Sequence, residues 1–154
     1  MISQESSLQA RSQTAEQQRI SKDFAFPGDA DSLVQSRQAL MDFLSPYCSG
    51  EAEELDVFIA LQEAVANAVF HGCGNDPSKT IHCRVEIDPA ELVITIRDPG
   101  PGFDPGMATE STEAGTNVSQ HGRGICLMRS LMDEVTYRHG GTEVQLRKLR
   151  AACA

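Results

Sequence analysis

The chain has no Trp, only two Tyr and six Phe, and no cysteines in Cys-x-x-Cys spacing. Its five cysteines, Cys48, Cys73, Cys83, Cys126 and Cys153, are odd in number and far apart. That excludes a disulfide-built scaffold and makes a reducing cytoplasm the expected setting. No apolar run approaches the roughly 18 residues that a bilayer-spanning helix needs. The N-terminus, Met1-Ile-Ser-Gln-Glu-Ser-Ser, lacks the basic-then-apolar order of a secretion signal. Basic side chains are scarce, 13 Lys and Arg against 22 Asp and Glu, for a net charge of −9. Nucleic acid and anionic membranes both require a basic surface, so neither is expected as a partner. No Gly-Lys-Ser/Thr run occurs, so there is no Walker loop.

What is present fits one domain: 154 residues, 40% apolar, enough for a core without disulfides. The charge is uneven. Residues 1–120 carry 7 basic and 19 acidic side chains, whereas residues 121–154 carry 6 and 3. A basic C-terminal fifth on an acidic body points to an anion near that end. His71, Cys73, His82 and Cys83 match no usual zinc spacing and read as ordinary imidazoles and buried thiols.

Residues 1–20 are rich in Gln, Ser, Glu and Arg, the composition of a disordered arm. Phe24-Ala-Phe26 then Pro27-Gly28 reads as a short strand and turn. Asp29 or Asp31 caps a helix to about Leu44, with Leu33, Val34, Leu40, Met41 and Leu44 on its apolar side. A second helix begins near Ser49, Glu51 or Glu53 and runs to about Phe70. Thr80–Asp88 alternates Ile81, Cys83, Val85 and Ile87 on one face and, with Leu92–Arg97, predicts a hairpin. Residues 99–120 read as a long loop, and loops of that length in compact domains are usually functional. Gly122–Met132 reads as a helix. Val135–His139 and Thr142–Leu149 flank Gly140-Gly141, a strong hairpin signal. Antiparallel strands with intervening helices predict an α+β, two-layer sandwich.

Three segments carry chemistry. Residues 57–70, VFIALQEAVANAVF, are apolar apart from Gln62, Glu63 and Asn67. Such a helix is largely buried, and Glu63 and Asn67, four apart, share a face. The pair reads either as an exposed polar stripe or as a carboxylate base beside an amide oxygen suited to a hard cation such as Mg²⁺. Asp98-Pro-Gly-Pro-Gly-Phe-Asp104 follows a strand. Its glycines permit close backbone approach to a flat ligand, and an aspartate at a strand end can accept from an exocyclic amine; a plain turn accounts for the glycines too. His121-Gly122-Arg123-Gly124 opens a helix, where free N–H groups, the dipole and Arg123 favour an anion.

Together these segments resemble the ATP-binding domain of the GHKL superfamily, and in particular its single-domain anti-sigma factor/serine kinase branch. Glu63-Ala-Val-Ala-Asn67-Ala-Val-Phe-His71-Gly72 resembles the N box. Asp98-Pro-Gly-Pro-Gly-Phe-Asp104-Pro resembles the first glycine box, and Gly122-Arg-Gly-Ile-Cys-Leu-Met128-Arg-Ser-Leu-Met-Asp133-Glu-Val the second. Gly141-Thr142-Glu-Val resembles the final strand. The match spans about residues 22–149. The resemblance implies a two-layer sandwich with a mostly antiparallel sheet and helices on one face, in a domain over 21–150 flanked by an arm (1–20) and a short tail (151–154).

The resemblance also implies roles. Asn67 would ligate Mg²⁺ at the triphosphate; Asp98 would accept from the adenine amino group, with Thr142 assisting through water. Gly100 and Gly102 would allow the ring close approach. Gly122, Arg123 and Gly124 would hold phosphates, residues 104–121 would form a lid, and Glu63 would be the general base. The implied activity is phosphorylation of a partner's serine or threonine, the partner being an anti-anti-sigma protein of the STAS fold. A sigma factor is a possible second partner, Arg37 stands where the family often contacts partners, and homodimers are common in it. The alternative is a nucleotide-dependent module that sequesters a regulator without phosphoryl transfer. A detached histidine-kinase catalytic domain fits less well, since no His lies on a long dimerisation helix ahead of the ATP domain.

Overall fold

The computed structural model describes residues 18–106 and 120–150. The chain runs β1 (Ile20–Gly28), α1 (Ala30–Leu44), a 3-10 turn (Ser45–Tyr47), α2 (Glu51–Asn67), a π-helical turn (Ala68–Gly72), β2 (Asp76–Ile87) and β3 (Glu91–Arg97). After the loop come α3 (Gln120–Leu131), β4 (Glu134–Arg138), a 3-10 turn (His139–Gly141) and β5 (Glu143–Leu149). The five strands form one sheet in the order β1-β2-β3-β5-β4, every neighbour antiparallel.

Period-two alternation decides which face is covered. Cys83, Val85 and Ile87 lie opposite Ile96, Ile94 and Leu92. Ile94 and Ile96 lie in turn opposite Leu146 and Val144. All are buried, so one apolar face crosses the middle of the sheet, and a one-residue slip would turn it to water. Leu40, Met41 and Leu44 of α1, Val57, Leu61, Ala64 and Val65 of α2, and Ile125 and Met128 of α3 complete the same cluster. The other face carries Arg84, Glu86, Thr95, Gln145 and Arg147, alternate with the buried positions. This is the expected two-layer α+β sandwich, with its helices on one face. No helix among the described residues is long and apolar enough to cross a membrane.

Several local expectations are corrected. β1 is nine residues long and contains Pro27; as an edge strand with a register shift between Pro27 and Gly28, it accommodates a residue with no N–H. Asp29 stands at the N-cap of α1 but makes no side-chain cap bond. Asn75 Oδ1 instead accepts the Ala30 N–H at 2.7 Å, so the cap comes from 45 residues away. α2 ends at Asn67, and the chain continues in a wider turn in which the Cys73 N–H reaches the Ala68 carbonyl at 2.8 Å. β2 begins at Asp76, four residues earlier than its alternation predicts.

The β2–β3 turn is held by Asp88, whose Oδ1 accepts from the Ala90 and Glu91 N–H groups at 2.8 and 2.9 Å. Burial pushes the Asp88 carboxyl up, but these bonds and Arg19 outweigh it and hold it below the ordinary range. The β4–β5 connection is longer than a two-residue hairpin: His139, Gly140 and Gly141 all take positive φ, at 52°, 66° and 90°.

Candidate functional site

Asp98 leaves the end of β3 as Thr142 enters β5. The Asp98 N–H donates to the Thr142 carbonyl at 2.9 Å, one rung beyond the Arg97–Glu143 pair. Two residues past Ile96, Asp98 falls on the helix-covered side of the sheet. Gly100 donates its N–H to Asp98 Oδ1 at 2.8 Å. Burial pushes the half-buried carboxyl up, and the Gly100 bond counters this only in part.

Glycines let three segments converge here. A Cβ on Gly72, in the π turn, would strike the Asp98 carboxyl, and one on Gly100 would strike the Gly72 carbonyl. Gly102, at φ 75°, would drive a Cβ into the Gly140 carbonyl, and Gly141 would drive one into Phe103. Between these contacts the Phe103 N–H donates to the Gly140 carbonyl at 2.9 Å. Such approaches are open to glycine alone.

The result is a cavity at the sheet end. Ala64, Ala68, Ile96 and Val144 give it an apolar floor; Asp98, Gly102, Phe103, Tyr137 and Thr142 rim it. The Thr142 hydroxyl donates to the His139 carbonyl at 2.9 Å, which leaves its lone pairs as acceptors. Gly100 packs against the Gly72 backbone and the Asp98 carboxyl, and with Asp98 and Thr142 it lines a neighbouring recess.

Asn67 and His71 border this cavity and also a second recess between α2 and α3, lined by Glu63, Phe70, Arg123, Gly124 and Leu127. Glu63 and Asn67 sit one helical turn apart, and the start of α3 lies directly on them. A Cβ on Gly124 would come within 2.9 Å of Glu63 Oε2 and 3.4 Å of Asn67 Nδ2. Gly122 is buried in the first turn of α3, and Arg123 is exposed. Asn67 Nδ2 is buried and has no hydrogen-bond partner among the described residues. An unmet buried donor costs about 1–3 kcal/mol, so Nδ2 suits a hydrogen-bond acceptor such as a phosphate oxygen, which leaves the amide Oδ1 as the atom that could hold a cation. Carboxylate, amide oxygen, arginine and helix start together suit a polyphosphate with a hard cation.

The structure thus brings Glu63, Asn67, Arg123 and Gly124 into one recess and Asp98, Gly102 and Thr142 into the adjoining cavity. Of the expected lid, residues 107–119 lie outside the described residues. Arg37 places its guanidinium over the Phe58 ring at 5.2 Å.

The basic C-terminal segment needs correction. Arg147 bridges Glu91 and Glu134, Lys148 Nζ donates to the Leu131 carbonyl at 2.7 Å, and Arg150 donates to the Asp88 carbonyl at 2.9 Å. These groups tie down the end of the sheet opposite Asp98. Arg123 is the cation of that segment that lines the recess.

Among the lining residues that sequence reading did not single out are Tyr137, Phe103, Phe70 and Leu127. Tyr137 had a signal, since it alternates with Val135 on the face that Val144 and Leu146 share.

This fold is an α+β sandwich domain with a ligand-sized cleft at the end of its sheet. Residues 26–148 match the histidine kinase-like ATPase domain, and the chain belongs to that family. An anti-sigma F factor from Anoxybacillus flavithermus is 33% identical over 101 residues, 62% of this chain and 69% of that protein. One from Clostridium botulinum is 29% identical over 128 residues, 80% of this chain and 90% of that protein. A chain in the crystal structure of the SiaB-SiaC complex from Pseudomonas aeruginosa superposes with a TM-score of 0.57 at 15% identity, covering 97% of this chain and all of that one. At that identity the likeness speaks for the fold.

Proposed function

We propose that this protein is a cytoplasmic ATP-dependent serine/threonine kinase of the anti-sigma type, its substrate an anti-anti-sigma partner of the STAS fold. The observation that carries the reading is that Glu63, Asn67 with its unpartnered Nδ2, and Arg123 line one recess at the start of α3. Asp98 accepts from the adenine amino group, using the Oδ2 that Gly100 leaves free, and Thr142 supports that contact through water. Gly100 and Gly102 give the ring its close approach. Gly122, Arg123 and Gly124 hold the phosphates.

Asn67 would ligate Mg²⁺, which offsets phosphate charge when bound. Glu63 accepts the proton of the incoming hydroxyl. The cleft otherwise works by positioning, the larger part of what phosphoryl transfer asks of a protein. The same reading carries a sigma factor as second partner, a homodimer as the working form, the domain over 21–150 with its N-terminal arm, and residues 104–121 as lid.

The test is transfer of labelled γ-phosphate to the cognate partner. Wild type should transfer, and Glu63→Gln should lose about 10²–10⁴-fold in rate, the usual worth of a general base, with ATP affinity kept. Full transfer by Glu63→Gln would remove the base from the mechanism. A second reading, sequestration without transfer, is supported by relatives named for sigma-factor inhibition. It predicts nucleotide-dependent capture of a partner that stays unphosphorylated.

A further inference from the structure

Tyr137 has no place in the roles above, yet it borders the same cavity as Asp98. It lies on edge strand β4 opposite Val144, which itself lies opposite Ile96 on β3. Asp98 and Tyr137 are therefore carried by strands on either side of β5, two interstrand spacings or about 10 Å apart. The Phe103 ring meets the Tyr137 ring edge-on, with centroids 5.2 Å apart and planes at 76°. Phe103 is itself fixed by its N–H bond to the Gly140 carbonyl and by its contact with Gly141. Tyr137 is partly buried, and that burial pushes its phenol up to about 12, only partly opposed by Arg129 on α3.

We propose that Tyr137, braced edge-on by Phe103, is the aromatic wall of the nucleotide pocket and selects for a purine base by stacking area, while Asp98 reads its amino group. The inference rests on the ATP-site reading. Aromatic stacking on a base is worth about 1–3 kcal/mol on truncation, and the larger ring system of a purine gains more from it than a pyrimidine does.

The chain's lack of Trp makes the idea directly measurable. Tyr47 and Tyr137 are its only tyrosines, so a full-length Tyr47→Phe protein reports tyrosine emission from Tyr137 alone. Titrating Mg-ATP should change that emission saturably, with the same Kd that calorimetry gives. Tyr137→Phe, which keeps the ring, should bind Mg-ATP within about twofold of wild type, and Tyr137→Leu about tenfold more weakly. The preference for Mg-ATP over Mg-CTP should shrink in Tyr137→Leu and persist in Tyr137→Phe. Unchanged Tyr137 emission at saturating Mg-ATP, or wild-type affinity in a folded Tyr137→Leu, overturns the wall while leaving the ATP site standing. Failure of the wild type to bind Mg-ATP by calorimetry overturns the site and the wall together.

Discussion

The half of the cleft at the sheet end and the half between α2 and α3 both depend on glycine, but in opposite ways. At the sheet end, Gly72, Gly100, Gly102 and Gly141 sit against backbone carbonyls or the Asp98 carboxyl, and two of them, Gly102 and Gly141, have positive φ. At Gly100, Gly102 and Gly141 nothing can yield without moving backbone. Between the helices, Gly124 faces the tips of two side chains, Glu63 and Asn67, which can turn away. The sheet-end half is therefore part of the fold, while the half between the helices is a set of side chains brought together upon it. Stability should report on the first and chemistry on the second.

The sharpest way to break this contrast is to put the same methyl group in each half. Gly102→Ala forces a Cβ into the Gly140 carbonyl at φ 75°. It should cost about 3 kcal/mol, read as a lower denaturation midpoint, and abolish ATP binding with it. Gly124→Ala lies inside helix α3, where alanine gains about 0.5–1 kcal/mol over glycine. Its denaturation midpoint should hold or rise. Its methyl group, 2.9 Å from Glu63 Oε2, displaces the carboxylate, and phosphoryl transfer should fall by about tenfold or more, as small misplacements of reacting groups do. Equal loss of stability in both variants would erase the distinction between the halves.

Asp98 sharpens the contrast from the other side. Burial raises its carboxyl pKa in the folded state. For a carboxylate shifted upward, the folded state is relatively favoured at low pH, where the group is protonated in both states, and penalised as pH climbs through the folded pKa. Asp98→Asn keeps an oxygen for the Gly100 N–H and removes that penalty. At pH 7 its Tm should exceed that of wild type by roughly 1–3 °C, and below the ordinary aspartate range, near pH 3.5, the two should melt together. ATP affinity should fall by about tenfold or more, because a site that relies on a buried acceptor discriminates strongly. A Tm advantage that persists in acid would assign the gain to something other than ionisation.

The same division explains what could be read in advance. The sheet face was legible because Ile81, Cys83, Val85 and Ile87 alternate without a break, and period two admits one register. The Glu63–Asn67 pair was legible because two polar residues on an apolar helix need partners. The π turn at Ala68–Gly72 was not. Its residues carry no helix-breaking signal before Gly72, and the widened turn ends with Gly72 against the Asp98 carboxyl, a contact that only the folded chain makes. Nor was the cap on α1: Asp29 fits the local rule, yet Asn75 supplies the bond from a loop that only the folded chain brings near. Tyr137 and Phe103 were not singled out, because sequence spacing says which face a side chain takes and not that the face ends in a cavity.

The smallest expected effect tests how charge is divided between the two ends of the sheet. Sequence counting grouped Arg123 with Arg147, yet Arg123 lines the recess with Glu63 while Arg147 bridges Glu91 and Glu134 at the far end. Their substitutions should part company. Arg123→Gln should weaken Mg-ATP binding several-fold, with a salt dependence shallower than that of wild type, because one phosphate contact is gone. Arg147→Gln should leave affinity unchanged and move Tm by no more than about 2 °C, since exposed ion pairs contribute little. Titration calorimetry at two salt concentrations separates them. If Arg147→Gln weakened binding as much as Arg123→Gln, long-range charge rather than contact would govern the half between the helices, and the net +3 of the C-terminal segment would matter as a sum.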